Sequence, residues 1–118
     1  MGGLPEYQRV ISVGANFVTR NGGDAVLSSV ELWHDRVKLH FAYSHHDPPM
    51  QDSDGRRRLG PGWLLSDDVG THYKPSGGGA GGSDVMFGYA SFTPSRPLNA
   101  ALLLVSSPEL AEPIEVPL

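Results

Sequence analysis

The sequence predicts an all-β fold, a two-sheet β-sandwich of seven or eight short antiparallel strands. The 118 residues include 15 Gly and 10 Pro with no repeating period, a composition that favours many turns over a helical bundle. Apolar side chains recur at every second position in the clearest segments, as they do in half-buried strands. Strand-like segments follow one another at the spacing of a sandwich, and no segment of helical period is long enough to compete.

The clearest alternation lies between Val26 and Ser44. Large apolar side chains occupy every second position from 37 to 43, which predicts a strand with one buried face. Folding residues 26–33 back through a two-residue turn at 34–35 brings the apolar side chains of both strands onto one face, although a bulged turn remains an alternative. A slip of one residue would turn this apolar set to water. The predicted pairs are Leu32 with Val37, Glu31 with Lys38, Val30 with Leu39 and Val26 with Tyr43.

Six further segments carry strand-like patterns. The first is broken near Gly14, and the two segments that flank Gly70 are expected to form a short hairpin with that glycine in the left-handed conformation. A helix over 97–105 is disfavoured because it would have only about two turns. The further strands are expected at 9–18, 63–66, 71–74, 85–93, 101–106 and 114–118.

Residues 1–118 are expected to form a single domain with two flexible loops. Residues 45–61 contain many turn formers and no periodicity, which predicts a long exposed loop. Residues 76–83 are almost all glycine and serine, which predicts a second flexible loop between strands.

The composition excludes several classes of function. The chain has no Cys, which excludes a disulfide framework, a thiolate nucleophile and a finger-type zinc site. Nine Lys and Arg against 13 Asp and Glu give a net charge of −4, so we expect no nucleic-acid partner. No apolar run is long enough for a membrane span. Without an export signal the chain is expected in the cytoplasm if it is complete, and outside it if it was trimmed from a longer protein.

A second pattern extends over the C-terminal part of the chain. In order, it consists of Asp67-Asp68-Val69-Gly70-Thr71-His72-Tyr73, a glycine tract, Phe92-Thr93-Pro94, Leu102-Leu103-Leu104 and Ile114-Glu115-Val116. These segments resemble the bacterial immunoglobulin-like accessory domains of unknown function found in Gram-positive organisms, with similarity from about Val26 to Leu118. The resemblance implies an immunoglobulin-like sandwich that serves interaction or structure, and it brings no catalytic residues. The long 45–61 loop and the missing export signal depart from the family pattern.

Trp33 is the main candidate for a functional side chain. It lies on the predicted outward face of the hairpin, so it is either covered by another segment or the centre of a contact surface. Aromatic residues are enriched at interface hot spots. We therefore predict a non-catalytic interaction surface for a protein partner or a second copy of the chain, formed by Glu31, Trp33, Lys38 and His40.

The alternative is a divalent-metal-dependent binding protein that uses residues 45–54. Imidazole and carboxylate groups are the usual protein ligands of divalent metals. Adjacent histidines of an extended chain point to opposite faces, however, and the arginines at 56–58 oppose a bound cation. We therefore expect solvated loop residues, and no cofactor. The candidate ligands are His45, His46, Asp47, Asp52 and Asp54, with His72 as a more distant one.

No motif in the chain indicates an enzyme. The glycine tract lacks the ending of a phosphate-binding loop, and a Gly-x-Ser-x-Gly nucleophile elbow does not occur. Sugar binding would need exposed aromatic residues on one sheet, whereas Tyr43, Trp63 and Tyr89 lie in apolar contexts. For Asp67 and Asp68 we expect a structural role, with one carboxylate accepting the backbone N–H groups of the turn and the other in solvent.

Overall fold

The computed structural model describes residues 7–19, 23–44 and 62–118, and in these ranges the protein is all-β. Eight strands form two antiparallel sheets, which confirms the predicted two-sheet sandwich. No helix that could cross a membrane occurs in the described ranges. The strands are β1 (Tyr7–Val18), β2 (Asp24–Trp33), β3 (Val37–Ser44), β4 (Leu64–Asp67), β5 (Lys74–Gly82), β6 (Val85–Thr93), β7 (Leu102–Ser106) and β8 (Ile114–Pro117).

One apolar core fills the space between the two sheets. The larger sheet has the order β1-β2-β3-β6-β5 and the smaller one the order β4-β7-β8. Trp63, which precedes β4, is buried as predicted and packs its ring against Phe17 and Phe41, with centroid separations of 5.6 and 5.5 Å. The largest fully buried side chains are Leu27, Val30, Leu32, Val37 and Leu39 of the larger sheet and Leu103, Val105 and Val116 of the smaller one.

The β2–β3 hairpin has the predicted register next to its turn. The backbone N–H of Trp33 donates to the carbonyl of Arg36 at 2.9 Å, which closes a two-residue turn. The guanidinium of Arg36 also donates two hydrogen bonds to the Asp35 carboxylate, at 3.1 and 2.8 Å. Three predicted pairs are confirmed: Leu32 with Val37, Glu31 with Lys38 and Val30 with Leu39.

Farther from the turn, a bulge at Ser28 changes the register. Val26 lies opposite Ala42, so the predicted pair of Val26 with Tyr43 is wrong. The Ser28 hydroxyl donates to the backbone carbonyl of His40 at 2.9 Å, a bond that helps to hold the extra residue. Because a bulge inserts one residue, it reverses the inward parity of the strand, and the buried side chain before it is Leu27 rather than Val26.

The predicted hairpin around Gly70 does not form. β4 pairs with β7 in the smaller sheet, whereas β5 begins at Lys74 and pairs with β6 in the larger sheet. Residues 68–73 therefore cross from one sheet to the other. Gly70 has the predicted left-handed conformation, with φ +80°, but it serves this crossover and not a hairpin.

The glycine tract is a strand and not the flexible loop that its composition predicts. Residues 74–82 form β5, an edge strand of the larger sheet. Hydrogen bonding to β6 holds this segment extended, although glycine itself has little preference for a strand. The two-residue connection to β6 needs Gly82, because a Cβ at that position would clash with the carbonyl oxygen of Val85. The other predicted loop, 45–61, lies outside the described residues.

Asp67 holds the crossover in place. Its Oδ1 accepts hydrogen bonds from the backbone N–H groups of Val69 and Thr71, both at 3.0 Å, and its Oδ2 accepts one from the Tyr73 hydroxyl at 2.8 Å. Burial of the carboxylate opposes its ionisation, but the Thr71 side chain together with these bonds outweighs burial and lowers the pKa of Asp67. Burial, reinforced by the carboxylate, raises the pKa of Tyr73. The predicted structural role is confirmed for Asp67.

Asp68 is exposed, as predicted, but its carboxylate also makes a contact within the fold. Its carboxylate accepts a hydrogen bond from the backbone N–H of Ala101, at 3.1 Å to one oxygen and 3.3 Å to the other. Ala101 directly precedes β7, and Asp68 directly follows β4, the strand that pairs with β7. Asp68 thus ties the start of the crossover to the smaller sheet.

Candidate interaction surface

The four predicted surface residues lie together on the outer face of the larger sheet, the face that points away from the core. Glu31 and Trp33 come from β2, and Lys38 and His40 from β3. The hairpin register places Glu31 directly opposite Lys38, and alternation along each strand puts the other two on the same face. The next strand, β6, brings Tyr89 opposite His40.

Glu31 is the centre of the polar contacts on this face. Its Oε1 accepts a hydrogen bond from the indole Nε1 of Trp33 at 3.0 Å, and the Nε2 of His40 lies 3.2 Å from the same oxygen. Partial burial of Glu31 opposes its ionisation. The bond from Trp33, the neighbouring His40 imidazole and the charge of Lys38 outweigh that effect and lower the pKa of Glu31. A carboxylate thus fixes the orientation of the tryptophan ring.

Lys38 lies between two aromatic rings. Its Nζ is 5.6 Å from the ring centroid of Trp33 and 5.2 Å from that of Tyr89. Both separations are within the range of cation–π attraction. The ammonium group therefore links the aromatic residue of β2 to that of β6 across the intervening strand.

Two aromatic side chains of β6 extend this surface into solvent. Tyr89 is 39% exposed and Phe87 is 67% exposed. Tyr89 lies in an apolar stretch of the sequence, yet its side chain is partly exposed in the structure. We define the outer patch as Glu31, Trp33, Lys38, His40, Phe87 and Tyr89.

Packing beneath β6 explains why sequence reasoning missed Phe87 and Tyr89. Both parities of this strand carry apolar residues, so alternation alone does not indicate which set is buried. The space under the centre of β6 is taken by the ring of Phe41, because a Cβ on Gly88 would lie 2.9 Å from that ring. The small residues at positions 88 and 90 therefore face inward, and the large aromatic ones face outward. A glycine between two aromatic residues is the signal in the sequence that points to this arrangement.

A shallow depression of about 420 Å³ continues the outer patch towards the edge of the sheet. Its floor is the backbone of β5, where residues 79–81 carry almost no side-chain atoms. The Tyr89 ring lies over this floor, since a Cβ on Gly79 would meet its Cε1 at 3.5 Å. His40 and Phe87 also line the depression.

The candidate metal ligands are not brought together in the part of the chain that the structure describes. His45, His46, Asp47, Asp52 and Asp54 all lie outside it. His72 is described and exposed. No group of three or more His, Asp or Glu side chains with the geometry of a metal site occurs within residues 7–19, 23–44 and 62–118.

Comparisons of the chain with protein-family models, with curated proteins and with solved structures give no match. The immunoglobulin-like accessory family therefore remains a resemblance carried by the sequence segments named above.

Proposed function

We propose that this chain is a non-catalytic protein-interaction module whose outer patch binds another protein. The observation that carries the proposal is the exposure of Phe87 and Tyr89, at 67% and 39%, beside a tryptophan and three ionisable side chains on one sheet face. An exposed aromatic cluster with polar groups at its border has the composition of an interface centre and its rim.

The contacts within the outer patch support the proposal. The indole of Trp33 is held by Glu31, and the ammonium of Lys38 is held between two rings, so these side chains are ordered before any partner arrives. Ordering a long side chain on binding costs about 0.5–1.5 kcal/mol, a cost that is reduced when the side chain is already held. The patch therefore offers a preorganised surface.

Retention of partner proteins by the immobilised chain tests the proposal. Wild-type protein, Tyr89→Ser and Phe87→Ser are compared for the proteins that each retains from an extract of the source organism. At least one protein is expected to be retained by the wild type and to fall about tenfold or more for each variant, the loss typical of a hot-spot residue. Circular dichroism and thermal melting show whether each variant is folded.

Leu98→Ser is the matched control, because Leu98 is 88% exposed and lies outside the outer patch. It should retain the same proteins as the wild type. Equal retention by all four proteins would contradict the proposal, and so would an equal loss in the Leu98 variant. Trp33→Ala provides a further check, since a lower melting temperature with unchanged retention would mean that this ring contributes only to packing.

A further inference from the structure

The β5 edge of the larger sheet is open in the part of the chain that the structure describes. β5 is the last strand of the sheet, and no backbone hydrogen bond of the described residues runs from its open side to another segment. An open strand edge presents N–H and C=O groups at the spacing of a β-ladder, which another strand can satisfy. All nine residues of β5 lie at the surface or only partly buried.

Symmetry restricts how two copies of this edge can pair. A two-fold axis that sets two identical strands side by side in antiparallel order runs perpendicular to the sheet. Such an axis keeps the outer face of one copy on the same side as that of the other. Residues that pair directly have their side chains on the same side of the sheet. The register must therefore be centred on one residue that pairs with its own copy.

The charges at the two ends of the edge select one of these registers. Lys74 begins β5, and Asp84 lies in the turn after it, with no charged residue between them in the sequence. Both lie five positions from Gly79. A register centred on Gly79 therefore brings Lys74 of each copy alongside Asp84 of the other, within one residue once the irregularity between Pro75 and Gly77 is allowed for. Both side chains are exposed and available for this contact.

We propose that two copies of the chain associate through antiparallel pairing of their β5 edges, centred on Gly79, with Lys74 facing Asp84 at both ends. The two larger sheets become one sheet of ten strands. Gly79 lies on the outer face beneath Tyr89, so the outer patches of the two copies end up on the same side of that sheet. With strands about 4.8 Å apart, the two copies of Tyr89 are separated by about 14 Å.

The size of the edge predicts a weak dimer. The nine residues of β5 span about 30 Å, and a sheet edge is about 10 Å thick. The area of this edge is well below the roughly 800 Å² per partner that a standard stable interface buries. A dissociation constant in the micromolar to millimolar range is expected. Since two exposed ion pairs contribute, added salt should weaken the association.

Sedimentation of the full chain over micromolar to millimolar concentrations tests the proposal with charge-reversed variants. The wild type should shift from monomer to dimer. Lys74→Glu and Asp84→Lys each place like charges together at both ends of the pair, and each should bind itself at least tenfold more weakly. Mixing these two variants restores opposite charges at both ends, so a mixed dimer should form from two proteins that are each monomeric.

The double variant K74E/D84K also restores complementarity and should dimerise like the wild type. Glu115→Lys, a charge reversal of an exposed residue on β8, is the control and should leave the dimer unchanged. A wild type that stays monomeric at millimolar concentration overturns the proposal, as does a mixture of the two single variants that forms no dimer. Neither result bears on the outer patch, whose variants at Phe87 and Tyr89 are scored by retention of a different protein.

Discussion

Two carboxylates of this protein each accept a hydrogen bond from an aromatic side chain, yet their surroundings differ. Asp67 is 7% exposed and accepts two backbone N–H groups in addition to the Tyr73 hydroxyl. Glu31 is half-buried on the outer face, and the contacts that lower its pKa come from the side chains of Trp33, His40 and Lys38. The first carboxylate therefore holds a segment of the fold, whereas the second orients side chains of a surface.

The comparison shows how burial and the type of donor separate structural from surface polar groups. A buried acceptor that satisfies backbone donors cannot be removed without leaving those donors unpaired. An exposed acceptor can be replaced by water at small cost. Substitution of Asp67 should therefore lower stability, whereas substitutions around Glu31 should mainly weaken binding.

The largest effect is expected for Asp67→Asn. An amide keeps one acceptor but loses the charge and presents N–H groups to a site that needs acceptors. We expect the free energy of unfolding to fall by about 1–3 kcal/mol. Urea denaturation with an unchanged slope measures this, and a loss well below 1 kcal/mol would show that the crossover does not depend on the carboxylate.

Tyr73→Phe should have the next largest effect. It removes only the hydroxyl that donates to Asp67 and leaves both backbone donors in place. A loss of about 1.5 kcal/mol is expected, the lower end of the usual range for a hydrogen bond to a charged group. A double-mutant cycle with Asp67→Asn should give a clear coupling energy. Additive losses would indicate that the two side chains act separately.

Acid should destabilise the protein through both carboxylates. Each has a lower pKa in the folded chain than in the unfolded chain, so the unfolded chain binds more protons at acid pH. Their contribution is complete above the unfolded values, near pH 4, and is lost as the pH falls through the lower folded values. Urea denaturation from pH 7 to about pH 3 measures the decline. Asp67→Asn should reduce this decline in stability more than Glu31→Gln does. The opposite order would contradict the assignment of Asp67 to the fold and of Glu31 to the surface.

Glu31→Gln should change stability by less than about 1 kcal/mol. The amide can still accept from the Trp33 indole, and the contacts that are lost lie in partly exposed surroundings. Thermal melting measures the change, with Asp67→Asn as the reference. A loss as large as that of Asp67→Asn would place Glu31 among the groups that hold the fold.

The smallest effect is expected from metal removal. If the chain is an interaction module without a metal, its melting temperature should be the same with EDTA, with added Ca²⁺ and with added Zn²⁺. A bound metal would stabilise the folded chain by mass action. A shift on chelation or on metal addition would instead favour the alternative that uses residues 45–54.

Local patterns in the sequence predicted the parts of the fold that neighbouring residues decide. The turn at 34–35 sets the pairs closest to it, and these pairs form as expected. The bulge at Ser28 was not predictable from alternation, because Val26 and Leu27 are both apolar and either could face the core. The four residues predicted for the surface lie on this same hairpin, which is why they were found together.

The remainder of the outer patch depends on strands that are distant in sequence. β6 contributes Phe87 and Tyr89 because it pairs with β3 and because Phe41 fills the space beneath Gly88. Neither fact follows from the pattern of residues 85–93 taken alone.

Alternation along adjacent strands was enough to predict the all-β class, the hairpin register beside its turn and the outward position of Trp33. Three features became clear only from the folded chain: β4 and β5 belong to different sheets, the glycine tract forms an edge strand, and the face of β6 that carries Phe87 and Tyr89 meets solvent. These outcomes depend on pairing between distant segments and on the volume available in the core, which no local pattern records.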